Sequence, residues 1–366
     1  MAGAGAVHAL RVLAGPAALQ HLREHGLRPA DVGVIPAAAG GPKGLILNPL
    51  DRFIFGHWLP QSSQVVHLLG ASIGSWRMAA ATCPNADAAL ARMAADYIAQ
   101  DYPHAPGKPP TAAVVSEIFG AKLGEHFQAL AAQMLTHPRL RLHVFTSRGR
   151  HVLRREGKLR TPLGYGGAFV SNLLGRRGLG HWLERVVFSD PRDPLPLPLN
   201  DFRTRELALT EDNLCPAVLA SCSIPFWLNA VHDIPGAPAG AYWDGGITDY
   251  HLHLPYRRML NSAAPLVLYP HFQPSLVPGW LDKMLPRRHA ATAALDNVIV
   301  LAPRPEWIAS LPGAKLPDRE DFKALGDDVS TRMKRWREAV AMSQQLADEF
   351  AQWVSGGTAP EIEPLR

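Results

Sequence analysis

Residues Val65 to Thr82, VVHLLGASIGSWRMAAAT, leave the chain few ways to fold. The run Val65-Val66-His67-Leu68-Leu69 is too short and too β-branched to favour a helix, whereas Trp76-Arg77-Met78-Ala79-Ala80-Ala81 is alanine-rich and reads as one. Between them stands Gly70-Ala71-Ser72-Ile73-Gly74. A strand that turns sharply into a helix strains its corner residue, and glycines two before and two after keep side chains off the neighbouring strand and helix. Such a corner lifts the Ser72 hydroxyl out of a sheet and leaves N–H groups at the helix start free to bind an anion. A plain turn satisfies the same five letters. The strand before and the helix after make Ser72 a candidate nucleophile.

Two more glycine motifs lie up and down the chain. Asp31-Val32-Gly33-Val34-Ile35-Pro36 reads as a buried strand and runs into Ala37-Ala38-Ala39-Gly40-Gly41-Pro42-Lys43-Gly44, then the helix-like Leu45-Ile46-Leu47. This is no P-loop, since Gly44 rather than Ser or Thr follows Lys43, and it is no dinucleotide fingerprint. A short glycine loop with a cation and no phosphate signature suits an oxyanion hole, the bland alternative being a tight turn with a surface lysine. Downstream, Ala241-Tyr242-Trp243 leads into Asp244-Gly245-Gly246. An acid at a strand end, followed by glycines that let backbone come close, is a seat for a carboxylate partner to a serine; alone it is a common turn.

The rest of the chain frames these motifs. Its 366 residues, 47% hydrophobic, suffice for one large domain over 1–366, with the motifs in a core of about 31–250 and the stretch 251–366 completing the sheet. Strands are expected near 32–35, 65–69, 140–146, 185–189, 241–243, 265–270 and 297–302. Helical stretches are Pro16–Gly26, Ala86–Gln100, Thr111–Leu135 and Asp212–Asn229, the last with an N-cap-like Asp212 and a break at Pro225. Pro103–Pro110 reads as a rigid connector, Arg148–Arg160 as a basic hairpin or loop, and Gly164–Leu183 as a helix pair. The fold class expected is α/β, three-layer α/β/α with a mainly parallel central sheet.

No apolar span of about 20 residues appears, so no membrane-spanning helix is expected. The N-terminus lacks the basic start of a secretory signal, and three cysteines in apolar surroundings form no framework. A cytoplasmic protein, peripheral to membrane at most, is the expectation. The net charge of +5 is scattered without interleaved aromatics, which argues against nucleic acid. Its concentrations at Arg148–Arg160 and Arg287-Arg288 read as solvated faces, or as a basic rim for an anionic lipid surface. In Pro278–His289, Trp280, Leu281, Met284 and Leu285 fall on one face at helical spacing beside those arginines. That pattern suits a lipid anchor or lid, or equally a short helix packed on the core.

Taken in order, the three glycine motifs resemble the signatures of the patatin-like phospholipases, lipid acyl hydrolases with a Ser–Asp dyad. Those signatures are D-G-G-G-x-[RK]-G, G-x-S-x-G and D-G-[GA]. They stand here as Ala38-Ala39-Gly40-Gly41-Pro42-Lys43-Gly44, Gly70-Ala71-Ser72-Ile73-Gly74 and Asp244-Gly245-Gly246, over roughly residues 31–250. Ala220-Ser221-Cys222-Ser223-Ile224-Pro225-Phe226 is similar to the family's serine- and alanine-rich stretch before the dyad strand. The loop departs from the pattern: Ala38-Ala39 replace Asp-Gly, and Pro42 has no N–H to donate. The resemblance implies that Asp244 takes the Ser72 proton, that Ser72 attacks an ester carbonyl, and that N–H groups of Gly40, Gly41 and Ile73 hold the oxyanion. Lys43 then adds charge or shapes the loop, no metal or organic cofactor takes part, and the substrate is a lipid or other acyl ester.

Two rivals accompany this reading. His251, His253 and His271 follow Asp244, so a Ser–acid–His order is present, although sixteen histidines make such coincidences cheap. His251 and His253 lack a third ligand for a metal. A catalytically silent lipid-binding protein on the same fold would explain Ala38, Ala39 and Pro42, but it has no need of Ser72, Lys43 and Asp244 together.

Overall fold

The valine-, isoleucine- and leucine-rich runs lie in the middle of one sheet, buried on both faces as parallel strands must be. The computed structural model describes residues 7–105, 108–259, 263–325 and 328–366. Its strands are β1 Leu10–Ala14, β2 Val32–Ala37, β3 Val66–Ala71, β4 Leu140–Gly149, β5 Leu183–Ser189, β6 Thr204–Ala208, β7 Val231–His232, β8 Ala241–Asp244, β9 Leu266–Pro270, β10 Val298–Pro303 and β11 Ile362–Pro364. Their main order is β11-β1-β10-β9-β2-β3-β4-β5-β6. From β10 through β9, β2 and β3 to β4 every neighbour is parallel, while β1 on β10 and β5 on β4 are antiparallel.

Parallel neighbours need long crossovers, and helices supply them. In chain order these are α1 Pro16–His25, α2 Asn48–Phe53, α3 Ile73–Ala81, α4 Ala86–Ile98, α5 Ala112–Phe127, α6 Ala131–Leu135, α7 Arg160–Leu174, α8 Glu211–Cys222, α9 Gly246–Asp249, α10 Pro305–Ser310, α11 Glu320–Ala324, α12 Val329–Met342 and α13 Gln344–Val354. The result is a three-layer α/β/α fold with a mainly parallel sheet. The C-terminal third is no appendage, because β9 and β10 are interior strands and β9 pairs with β2.

One irregularity builds the site. Strand β4 outruns β3: Leu140–Phe145 pair with β3, and Thr146–Arg148 pair with β8 instead. Because β5 lines the other edge of β4 over His143–Gly149, β8 occupies the lane that β3 vacates, running the opposite way. Ala71 faces Phe145 and Asp244 faces Thr146, so the C-terminal ends of β3 and β8 meet head to head. The residue after Ala71 is Ser72.

Several expectations need correction. Of the two readings of 148–160 the hairpin fails and the loop stands: the end of β4 is followed by a 3-10 turn, His151–Arg154, with no returning strand before α7. Gly164–Leu183 holds one helix, α7, and a 3-10 turn at Arg176–His181 before β5 begins. Helix α8 is capped by Thr210, not Asp212, through a reciprocal capping box with Asn213, and it ends at Cys222, ahead of Pro225. The Pro103–Pro110 connector includes residues 106 and 107, which lie outside the described residues. Strands β1, β6, β7 and β11 were not expected: they are short, and exposed polar residues break the apolar pattern of β6.

The apolar helix anticipated at 278–289 does not form. Two separate 3-10 turns stand there, Trp280–Asp282 and Pro286–Arg288. Asp282 is fully buried and accepts from Asn172 at 2.8 Å, Arg176 at 2.8 Å and Arg288 at 2.7 Å. A carboxylate held by three donors fixes the local backbone more firmly than a two-turn amphipathic helix would. Arg288 is therefore spent inward, and Leu281 packs on Ala168 and Leu179.

Candidate active site

Ser72 sits between β3 and α3 with φ 56° and ψ −129°, a conformation that costs a non-glycine residue energy and is held only by its surroundings. The flanking glycines are needed for space. A Cβ at Gly74 would overlap the Ala37 carbonyl of β2, and one at Gly70 would press on Ser75. The corner is braced by Ser221, at the end of α8. Its hydroxyl accepts the Ser72 N–H at 3.0 Å, donates to the Phe145 carbonyl at 2.6 Å and lies 2.7 Å from Ser75 Oγ. With its one proton given to Phe145, Ser221 must accept from Ser75.

The same stretch aligns Asp244, the candidate base. Asp244 N–H donates to the Ser223 carbonyl at 2.9 Å and Gly245 N–H to that of Ser221 at 3.2 Å. Ser72 Oγ then donates to Asp244 Oδ2 at 2.6 Å, while Asp244 Oδ1 accepts the Gly246 N–H at 2.7 Å. Both residues are buried. Burial is the main influence on Asp244 and raises it to about 6, against the opposing hydrogen bond from Ser72 and the charge of Arg319. Helix α9 behind it is pinned by Arg185, which donates to Asp249 at 2.7 and 2.6 Å.

The glycine loop closes the third side. Ala39 N–H donates to the Tyr250 carbonyl at 2.9 Å, fixing the loop to the chain after α9. Among the described residues no acceptor takes the N–H of Gly40, Gly41 or Ile73. Gly41 has φ 58°, which few side chains tolerate, and Pro42 starts a 3-10 turn where its missing N–H leaves nothing unpaired. Lys43 does not line either cleft at Ser72; its ammonium lies 5.8 Å from the Phe272 ring, beneath which Gly40 packs.

The histidines stand apart from this chemistry. His251 Nδ1 accepts the Val277 N–H at 3.0 Å, His271 Nδ1 lies 2.6 Å from the Gln273 carbonyl, and the His253 nitrogens reach Leu276 and Thr292. None bonds to Ser72 or Asp244. Burial holds His251 well below its usual range and His271 at about 3, so both stay neutral. Among the described residues no group of three metal-ligating side chains gathers.

Two clefts meet at Ser72. One, open to solvent, is walled largely by Trp76, Tyr97, Val115, Phe119, Ile224 and Leu228. The other, narrower, passes Asp244, Pro225, Tyr250 and Trp280. Arg319 lines both. Nothing local in the sequence singles it out, because Asp318-Arg319-Glu320-Asp321 reads as a solvated charged run. Ser221 was visible only through the family resemblance. A hydroxyl on a strained corner, a carboxylate accepting its proton, three free N–H groups and an apolar trough together can carry acyl transfer. Set against family models, curated proteins and solved structures, the chain matches none of them.

Proposed function

We propose that the chain is a serine acyl hydrolase of the patatin-like kind, cleaving carboxylic esters of lipids through the pair Ser72 and Asp244. The observation that carries this reading is the 2.6 Å hydrogen bond from Ser72 Oγ to Asp244 Oδ2 at a strained strand-to-helix corner. As Ser72 Oγ attacks the carbonyl carbon, its proton passes to Asp244. The tetrahedral oxyanion sits against the N–H groups of Gly40, Gly41 and Ile73, where losing one donor commonly costs a hundredfold or more in rate. Asp244 returns the proton to the leaving alcohol. Water, deprotonated by the same carboxylate, then frees the acid from the acyl-serine. The chemistry calls on no metal and no organic cofactor.

The apolar trough beside Ser72 suits an acyl chain. Contact with an anionic membrane surface belongs to this reading as well, but through α7 rather than residues 278–289. Leu163 and Leu174 of α7 are 72% and 90% exposed, and exposed Arg154, Arg155, Lys158, Arg160 and Arg177 bracket them. Apolar side chains among cations are what a peripheral lipid contact requires. Among the described residues no helix is long and apolar enough to cross a membrane. The three cysteines are all unpaired, which suits a cytoplasmic setting. The test is hydrolysis of p-nitrophenyl esters from short to long chain by the wild type and by Ser72→Ala. Turnover confined to the wild type supports the reading; equal rates in the two refute it, and a well-folded wild type that hydrolyses none of them points to a silent lipid-binding protein.

A further inference from the structure

The guanidinium of Arg319 is the odd charge of this molecule. Its chain neighbours do not pair with it: Asp318 and Asp321 go to Lys315 at 2.9 and 2.7 Å, and Glu320 goes to Lys323 at 3.4 Å. Among the described residues Arg319 has neither an ion-pair partner nor a side-chain hydrogen bond, whereas Arg77, Arg141, Arg176, Arg185 and Arg288 are all matched to carboxylates. Instead it turns to the site. It lines both clefts at Ser72, and a Cβ built on Gly41 would lie 3.1 Å from its Nε and 3.5 Å from Nη2. The guanidinium therefore lies against the backbone that offers N–H groups to the oxyanion.

A second cation stands close by. Lys283 lines neither cleft but stands behind the wall of one: its Nζ lies 4.0 Å from the centre of the Tyr250 ring, and Tyr250 lines the cleft shared by Ser72 and Asp244. Lys283 also has no ion pair among the described residues. Desolvation, then the charges of Arg319 and Lys43, lower it to about 8. The carboxylate facing this group is Asp244, and its oxygens are already taken by Ser72 and the Gly246 N–H. Unmatched cations crowded at a partly desolvated site repel one another, and an arriving anion relieves them. The planar fork of an arginine matches two oxygens of a carboxylate or phosphate.

We propose that Arg319, backed by the charge of Lys283, forms an anion-binding subsite beside the nucleophile, so that the preferred ester carries a carboxylate or phosphate close to its scissile carbonyl. This rests on the acyl-hydrolase reading for its substrate but not for its binding. Binding is tested first, in Ser72→Ala, by thermal unfolding with octyl phosphate, octanoate and octanol. The two anions should raise Tm and octanol should not, the better of the two naming the acidic group. Arg319→Gln should remove the effect and Arg319→Lys should retain part of it. Equal shifts with octanol, or shifts that survive Arg319→Gln with Lys283→Gln, overturn the subsite whether or not the protein is an enzyme. Turnover is tested next at pH 7.5, above the value of about 6 for Asp244 and below that of about 8 for Lys283, using p-nitrophenyl hexanoate and the anionic 3-nitro-4-hexanoyloxybenzoate. Arg319→Gln should raise KM for the anionic ester about ten- to hundredfold more than KM for the neutral ester. A proportional loss on both esters would reduce Arg319 to a tuner of Asp244 and overturn the proposal.

Discussion

Asp244 shows how one residue's surroundings set its role. Burial raises it to about 6 from an ordinary aspartate value of 3.8, so it accepts a proton near neutrality more readily than a surface aspartate would. As the base of the proposed reaction it must be ionised, so kcat/KM should rise with pH, reaching half its plateau near pH 6. The same shift costs stability. A carboxyl whose folded value is raised stabilises the fold below its unfolded value, and that contribution is lost as pH rises through 6. Asp244→Asn should therefore abolish hydrolysis yet raise the stability at pH 8 by on the order of 3 kcal/mol, with no gain near pH 3. Guanidinium melts at the two pH values check this; a destabilised variant at pH 8 would assign Asp244 to structure. Ser221→Ala should lower turnover at least tenfold and cost about 1–3 kcal/mol, because the Ser72 N–H loses its buried acceptor. Ser72 and Asp244 were legible because the backbone around them demands glycines at fixed spacing. Arg319 was not, since its importance lies in the pairing of its neighbours with lysines, which no local pattern encodes.

At the scale of elements, the helix that follows Ser72 is fixed by a buried ion pair. Arg77 of α3 donates to Asp51 of α2 at 2.7 and 2.8 Å, with both side chains 1% exposed. Since α2 follows the glycine loop, this pair sets Ser72 against Gly40 and Gly41. Arg77→Leu strands a buried carboxylate and should cost about 3–5 kcal/mol, read by denaturant unfolding, while Arg77→Leu with Asp51→Leu should recover much of that loss. Equal costs for the single and double variants would show that packing, not charge, is at stake. On the surface, Leu163→Ser with Leu174→Ser should weaken binding to anionic vesicles in a flotation assay and leave short-ester turnover unchanged. The interior strands were legible because burial on both faces writes continuous apolar runs. Strand β6 was not, because its arginine is spent on Glu184 of β5 and breaks the apolar pattern. The amphipathic spacing at 278–289 misled because it ignored Asp282, whose buried partners come from α7 and the turn after it.

For the molecule as a whole, the site is an assembly of distant parts that only the sheet brings together. Ser72 follows the end of one strand, Asp244 ends another coming the opposite way, and β4 aligns both. The fold class could be read from the alternation of buried strands and helical stretches, but the head-to-head meeting of β3 and β8 could not, because strand direction is set by connections rather than composition. The last third of the chain was read as sheet completion; it does that through β9 and β10 and also brings Phe272, Trp280 and Arg319 to the site. The central claim is that this assembly makes Ser72 a nucleophile driven by Asp244. Its most direct test is the rate of labelling by a fluorophosphonate, with the adduct located by peptide mass spectrometry. A single adduct on Ser72 is expected in the wild type, none in Ser72→Ala, and labelling slowed at least a hundredfold in a folded Asp244→Asn. An adduct on another residue, or undiminished labelling of Asp244→Asn, would contradict that claim.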